Sequence, residues 1–180
     1  TSVYLMTRAT DETKRAAHAA QAAAQIKRIT RLLEQLQTMA ELDSGIEFSL
    51  VPTNVNALVR EVTNYVQIAE IKPQFTLDLH PDDEMPLVNV DVRQLGQAFE
   101  HILDNALRFT PDDGAVTVLT RRDETEVIIQ VSDTGVGIPQ DKLDHVMRRF
   151  WRLDGAHSTP GFGLGLPIAQ KIVERHNGTL

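Results

Sequence analysis

The chain has 180 residues, 42% hydrophobic and 24% charged, a globular balance with room for one ordinary domain and a smaller element. A net charge of −7 argues against a nucleic-acid surface, which needs a basic patch, and the lack of cysteine excludes disulfides and thiolate metal sites. No apolar run approaches the roughly 20 residues of a membrane-spanning helix and no signal peptide is visible, so a reducing, aqueous compartment is expected.

The chain opens on Thr1 and stops at Leu180 without a tail, as a piece of a longer protein would. Residues 1–10 are too short to classify. From Asp11 to Asp43 the pattern is helical. Ala19, Ala22, Ile26, Ile29, Leu33, Leu36 and Ala40 alternate steps of three and four, a heptad seam sustained for about three repeats. Such a seam can bury against its own domain. With no partner segment nearby in sequence, it favours a helix outside this chain or a second copy. Gly45 ends the helix. A short extended stretch covers 48–52, and a domain boundary is placed near residue 48.

Asn54 can cap a second helix running through Ile71, with Leu58, Val62, Tyr65, Val66 and Ala69 on one side; Pro73 stops it. Residues 75–80 alternate as a half-buried strand, 81–86 form a turn, and 87–90 can form another strand. Asp91 and Gln94 then resemble a capping box opening the next helix. Along that helix Gln94, Gln97, His101, Asn105 and Arg108 form a polar stripe, opposite Leu95, Phe99, Ile102, Leu103 and Ala106. An amide and a guanidinium about one turn apart, beside Phe109, can hold a metal–polyphosphate and an adenine. Alone, the stretch is equally an ordinary amphipathic helix with a solvated face. Strand patterns follow at 115–121 and 126–132, joined by a turn at 122–125. A short helix spans 141–147, and 152–163 is a Gly/Pro/Ser loop long enough to be functional. The last helix carries Pro167 in its first turn and ends at Asn177-Gly178.

Two glycine clusters remain, Asp133-x-Gly135-x-Gly137 after a strand and Gly161-x-Gly163-x-Gly165 at a helix start. Neither completes G-x-G-x-x-G, because Gln140 and Leu166 stand at the third position, and no G-K-[ST] exists. Glycines at a helix start still let backbone N–H groups approach phosphate oxygens at the positive end of the dipole. Asp133 can accept a hydrogen bond from the exocyclic amine of adenine, whereas guanine presents a carbonyl there. Either cluster alone is also what a tight turn looks like.

In order, Asn105, Asp133-x-Gly135-x-Gly137, Phe150-Trp151-Arg152 and Gly161-x-Gly163-Leu164-Gly165-Leu166 resemble the ATP-binding domain of sensor histidine kinases, in the superfamily of Hsp90, gyrase and MutL. The resemblance covers about residues 52–180. Residues 11–50 resemble the second helix of the kinase dimerisation domain, and 1–6 the chain just after its H-E-L-R-T-P-L box. It implies an α+β fold: an ATP-binding α/β sandwich, a mixed sheet with helices on one face, preceded by a long helix of a dimerising bundle. Residues 1–48 would be a partial dimerisation and phosphotransfer domain. Residues 49–180 would be the ATP-binding domain, lacking its C-terminal strand.

By position, the resemblance implies Mg²⁺ coordination by Asn105, phosphate contact by Arg108, an adenine wall at Phe109 and adenine reading by Asp133. Gly135, Gly137 and Ile138 would form the first glycine box. Phe150 would belong to the phenylalanine box, and Arg152 would open a mobile lid at 152–163. Gly163, Leu164, Gly165 and Leu166 would form the second glycine box beneath the phosphates. His101 replaces a usual asparagine, Met147 a usual phenylalanine and Arg108 a usual lysine. The implied activity is γ-phosphoryl transfer from Mg·ATP to a histidine outside this chain and then to a response-regulator aspartate. Implied partners are a second copy, through the N-terminal helices, and a receiver domain, with no nucleic acid and no membrane contact by this part. The implied location is cytoplasmic, whether or not the parent is anchored in the inner membrane. None of the six histidines, His18, His80, His101, His145, His157 and His176, reads as the phosphoacceptor. The alternatives are a non-catalytic ATP-sensing or dimerisation module, and a serine-directed kinase or ATPase of the same superfamily.

Overall fold

The computed structural model describes residues 12–67, 74–79, 81, 84–153 and 161–180. Outside them lie residues 1–6, the expected run of the second helix to Ile71, His80, His157 and most of the expected lid.

The first helix, α1 (Glu12–Asp43), is about 48 Å long at 1.5 Å per residue. Its heptad seam stays open: Ile26, Ile29, Leu33 and Leu36 are 65, 56, 61 and 39% exposed. A second row, Leu32, Gln35, Met39 and Leu42, lies one residue round the helix and packs against the rest of the chain. The seam therefore carries the sequence signal, while an adjacent face makes the intramolecular contact.

Strand β1 (Val51–Asn54) pairs antiparallel with β3 (Leu87–Val90). Strands β2 (Gln74–Asp78), β4 (Ala115–Arg122) and β5 (Val127–Asp133) form a mixed sheet in the order β2-β4-β5. β2 runs parallel to β4, and β4 antiparallel to β5. The expected mixed sheet is thus three strands with a separate two-stranded ribbon. The β4–β5 turn is held by Asp123, whose carboxylate accepts from the N–H groups of Thr125 and Glu126, both at 2.9 Å.

Helices α2 (Val55–Gln67) and α3 (Val92–Phe109) cover one face of that sheet. Val55, Leu58 and Val59 of α2 meet Phe99, Leu103 and Ala106 of α3 over Val116 and Val118 of β4. Leu103 is fully buried, so truncating it to alanine costs about 2–5 kcal/mol. A polar bridge crosses this core: the Thr120 hydroxyl donates to Asn56 Oδ1 at 2.6 Å, pairing two polar groups away from water. Asn54 caps α2 by accepting from the Asn56 N–H at 2.9 Å.

A 3₁₀ turn (Gln140–Lys142) and a four-residue helix α4 (Leu143–Val146) replace the single short helix expected at 141–147. The last helix, α5 (Gly165–Arg175), lies against α3 and α1; Ile168, Ala169 and Ile172 pack on Ala98, Met39 and Leu42. Asn177, at φ 59°, takes a left-handed conformation just past the end of α5, where Asn177-Gly178 was expected to end the helix. The capping box at α3 is only half realised. Asp91 accepts from the Gln94 N–H at 3.0 Å, but its own N–H donates to His176 Nε2 at 2.9 Å. The ring's other nitrogen lies 2.8 Å from the Ile172 carbonyl. With Nε2 accepting, Nδ1 carries the proton and donates there.

Candidate nucleotide site

The polar stripe of α3 does not face solvent along its length. Gln94 is 2% exposed and Gln97 donates to Thr38 of α1 at 3.1 Å. Further along, the stripe opens into a cavity of about 500 Å³, within the range of small-molecule sites. Asn105, Arg108, Phe109, Asp133, Gly137, Ile138, Arg152, Gly163, Gly165 and Leu166 all lie on its wall. Residues from α3, the end of β5 and the start of α5 are brought together from positions up to 61 apart in sequence.

Three expected residues are elsewhere. Gly135 lies outside this wall and lines a shallow groove with Thr110, Pro111 and Thr134. A Cβ there would come 2.5 Å from the Phe109 carbonyl oxygen, so Gly135 permits a backbone crossing at the end of α3. Leu164 is 1% exposed and belongs to the core under α5. Phe150 is 61% exposed, with φ 64°, and does not line the cavity, whose wall takes its neighbour Trp151 instead. The cause is local: the Phe150 N–H donates to the Gly163 carbonyl at 2.8 Å, and Gly163, at φ 68°, lies so close to Trp151 that a Cβ would strike its carbonyl oxygen.

Asp133 Oδ1 accepts from the Gly135 N–H at 2.8 Å, which fixes the carboxylate at the turn. Arg108 is mostly buried and is engaged by Asp104, one turn back. Burial pulls its guanidinium below the ordinary value, with Asp104 acting in the opposite sense, yet arginine stays charged at any working pH. The glycine loop sits directly beside it; a Cβ on Gly161 would come 2.7 Å from Arg108 Nη1. Gly165 opens α5, and Leu164 at the N-cap makes no side-chain cap hydrogen bond. Gly165, Leu166 and Pro167 of the first turn of α5 line the cavity, so the positive end of the helix dipole lies at the wall, an arrangement suited to phosphate.

His101 also lines the cavity, and a Cβ on Gly165 would come 3.6 Å from its ring Nδ1. Burial, then the charge of Arg31, holds its pKa down at about 4, so the imidazole is neutral at pH 7. Asn105 lies half-buried on the same wall. Among the described residues no group of three or more His, Cys, Asp or Glu side chains could hold a metal alone. A neutral amide oxygen on this wall fits a hard cation that takes its other ligands from phosphate and water.

Several wall residues had been assigned no site role of their own. Trp151 and Phe162 supply aromatic surface, and Arg31 and Gln35 reach the cavity from α1. Spacing along α3 could have found Asp104, four residues before Arg108; nothing linear connects Arg31, 73 residues before Asp104.

Residues 90–180 match the profile of the histidine kinase-, DNA gyrase B- and HSP90-like ATPases, and the chain belongs to that family. The relatives that it matches over most of its own length are sensor kinases. It is 32% identical over 162 residues to the adaptive-response sensory kinase SasA of Synechocystis sp., covering 89% of this chain and 42% of that protein. It is 35% identical over 173 residues to the probable sensor histidine kinase TcrY of Mycobacterium tuberculosis, covering 94% of this chain and 36% of that one. The chain thus spans about two fifths of the length of these curated relatives. The mycobacterial sensor histidine kinase MprB superposes with a TM-score of 0.61 at 28% identity, over 71% of this chain and 80% of that one. Full-length ShkA in complex with AMPPNP shares the fold, with a TM-score of 0.75 at 22% identity, over 96% of this chain and 36% of that one.

Proposed function

We propose that this chain binds Mg·ATP in the cavity beside α3 and catalyses phosphoryl transfer to a histidine supplied from outside it. The observation that carries the reading is the convergence, on one wall, of an amide (Asn105), a carboxylate at a strand end (Asp133), guanidiniums (Arg108, Arg152) and an uncapped glycine-rich helix start. Adenine would lie toward Asp133 and Phe109, and the phosphates toward Arg108, Gly163 and Gly165. Asn105 would hold Mg²⁺, which supplies charge neutralisation at the polyphosphate when bound. The chain's own contribution is positioning and electrostatic stabilisation. In the transfer, the bond from the γ-phosphorus to its bridging oxygen breaks, a P–N bond forms at the accepting imidazole, and ADP leaves.

The accepting histidine belongs to the helical hairpin of which α1 is one arm. Residues 1–48 are taken as part of that hairpin domain and 49–180 as the ATP-binding domain. The open seam at Ile26, Ile29, Leu33 and Leu36 supports a bundle completed by a second copy. A solved complex of the histidine kinase ThkA with the response regulator TrrA supports a receiver-domain aspartate as the onward acceptor. ATP chemistry of this kind supports a cytoplasmic location for this part of the protein. Among the described residues no helix is long and apolar enough to cross a membrane.

The test is incubation with γ-labelled ATP. The chain alone is expected to stay unlabelled and to label a separately supplied helical hairpin that carries the accepting histidine. Acid-labile label on His18 or His101 overturns this phosphoacceptor assignment. ATP binding with no transfer to the hairpin supports the non-catalytic module instead.

A further inference from the structure

The long helix is not a bystander at the nucleotide cavity. Arg28, Arg31 and Gln35, spaced three and four apart on one side of α1, all face the catalytic domain. The Arg28 guanidinium lies 5.4 Å from the ring centre of Phe162, a wall residue. Gln35 is buried on the wall itself. Arg31 Nη2 donates to Asp104 Oδ2 at 2.6 Å, and the same carboxylate oxygen accepts from Arg108. One oxygen thus holds two guanidiniums side by side, one from α3 and one from the helical segment.

This junction lies on the cavity wall, where Arg31, Asp104 and Arg108 all line the same space. The Arg31 guanidinium has five N–H donors in a planar fork, so donating to Asp104 does not use up its capacity to meet an anion. A polyphosphate drawn to Arg108 therefore arrives beside a second arginine already held in register.

We propose that Arg31 of the long helix is a polyphosphate-binding residue of the nucleotide cavity, positioned by Asp104. Triphosphate binding then fastens the long helix to the catalytic domain, and nucleotide affinity depends on a residue outside the ATPase fold. The proposal rests on the reading of the cavity as an ATP site. It predicts a dependence on phosphate number that a packing role would not produce.

The experiment titrates ATP, ADP and adenosine into the full chain by calorimetry, with Mg²⁺, for the unsubstituted protein, Arg31→Ala and Arg31→Lys. Far-UV circular dichroism confirms the fold of each variant. Removal of one charge-assisted hydrogen bond at a half-exposed site is expected to weaken ATP binding about tenfold. ADP should be affected less and adenosine less than twofold, with Arg31→Lys recovering part of the ATP loss. Unchanged ATP affinity in Arg31→Ala overturns the proposal. So does an equal loss for adenosine, which would make Arg31 a structural support. Failure of the unsubstituted chain to bind ATP is a separate result: it removes the ATP reading itself, and the proposal with it.

Discussion

His101 gives the fold a pH dependence of calculable size. Burial, foremost, and the charges of Arg31 and Arg108, against the opposing Asp104, hold its pKa in the folded protein at about 4; the unfolded chain titrates at 6.5. Between those values the unfolded state binds a proton that the folded state refuses. Stability from this group is therefore complete above pH 6.5 and declines as pH falls toward 4. At 1.36 kcal/mol per pH unit the whole difference is about 3 kcal/mol, of which about 2 kcal/mol is lost by pH 5. His101→Asn removes the titrating ring. Urea unfolding of both proteins, without metal or nucleotide, at pH 7.5, 6.0 and 5.0 should show the variant gaining about 2 kcal/mol relative to the parent on going from pH 7.5 to pH 5. Any packing loss from the smaller side chain shifts the variant equally at every pH. The carboxylates whose pKa values are displaced, Asp43, Asp91 and Asp123 downward and Glu100 upward, are common to both proteins and cancel. Stability–pH curves that run parallel would refute the reasoning.

Three further outcomes are expected. Asp133→Asn should erode the preference for adenine over guanine nucleotides by tenfold or more, since a charge-assisted hydrogen bond is worth roughly 1.5–3 kcal/mol; equal ATP and GTP affinity in the parent would remove Asp133 from this role. Asn105→Ala should abolish the Mg²⁺ dependence of ATP binding and leave a residual adenine site, and a variant as Mg²⁺-dependent as the parent would show that Asn105 is not the ligand. Leu33→Glu, in the middle of the open seam, should shift a dimer toward monomer in light scattering without changing ATP affinity; an unchanged dimer would place the interface elsewhere.

Much of this protein is legible along the chain because the relevant physics is local. The periods of α1, α3 and α5, the caps at Asn54 and Asp91, and the alternation in β4 are set within a few residues of where they act. So is the order of amide, Asp133 and glycine clusters from which the family was read. The rest depends on groups distant in sequence that come to share a surface only in the folded chain. The tertiary structure turned Gly135 to a backbone crossing, sent Leu164 into the core and left Phe150 facing out while Trp151 and Phe162 took the cavity wall. It gave Asp91 a histidine from α5 in place of a closed capping box. It also set two apolar rows of α1 to different tasks. They differ by one residue of register, so periodicity reports both, but only the packing of α3 and α5 on Leu32, Met39 and Leu42 determines which row is covered. The meeting of Arg31 with Asp104 has the same origin: a pairing across 73 residues leaves no periodic trace and exists only once the helix lies across the site.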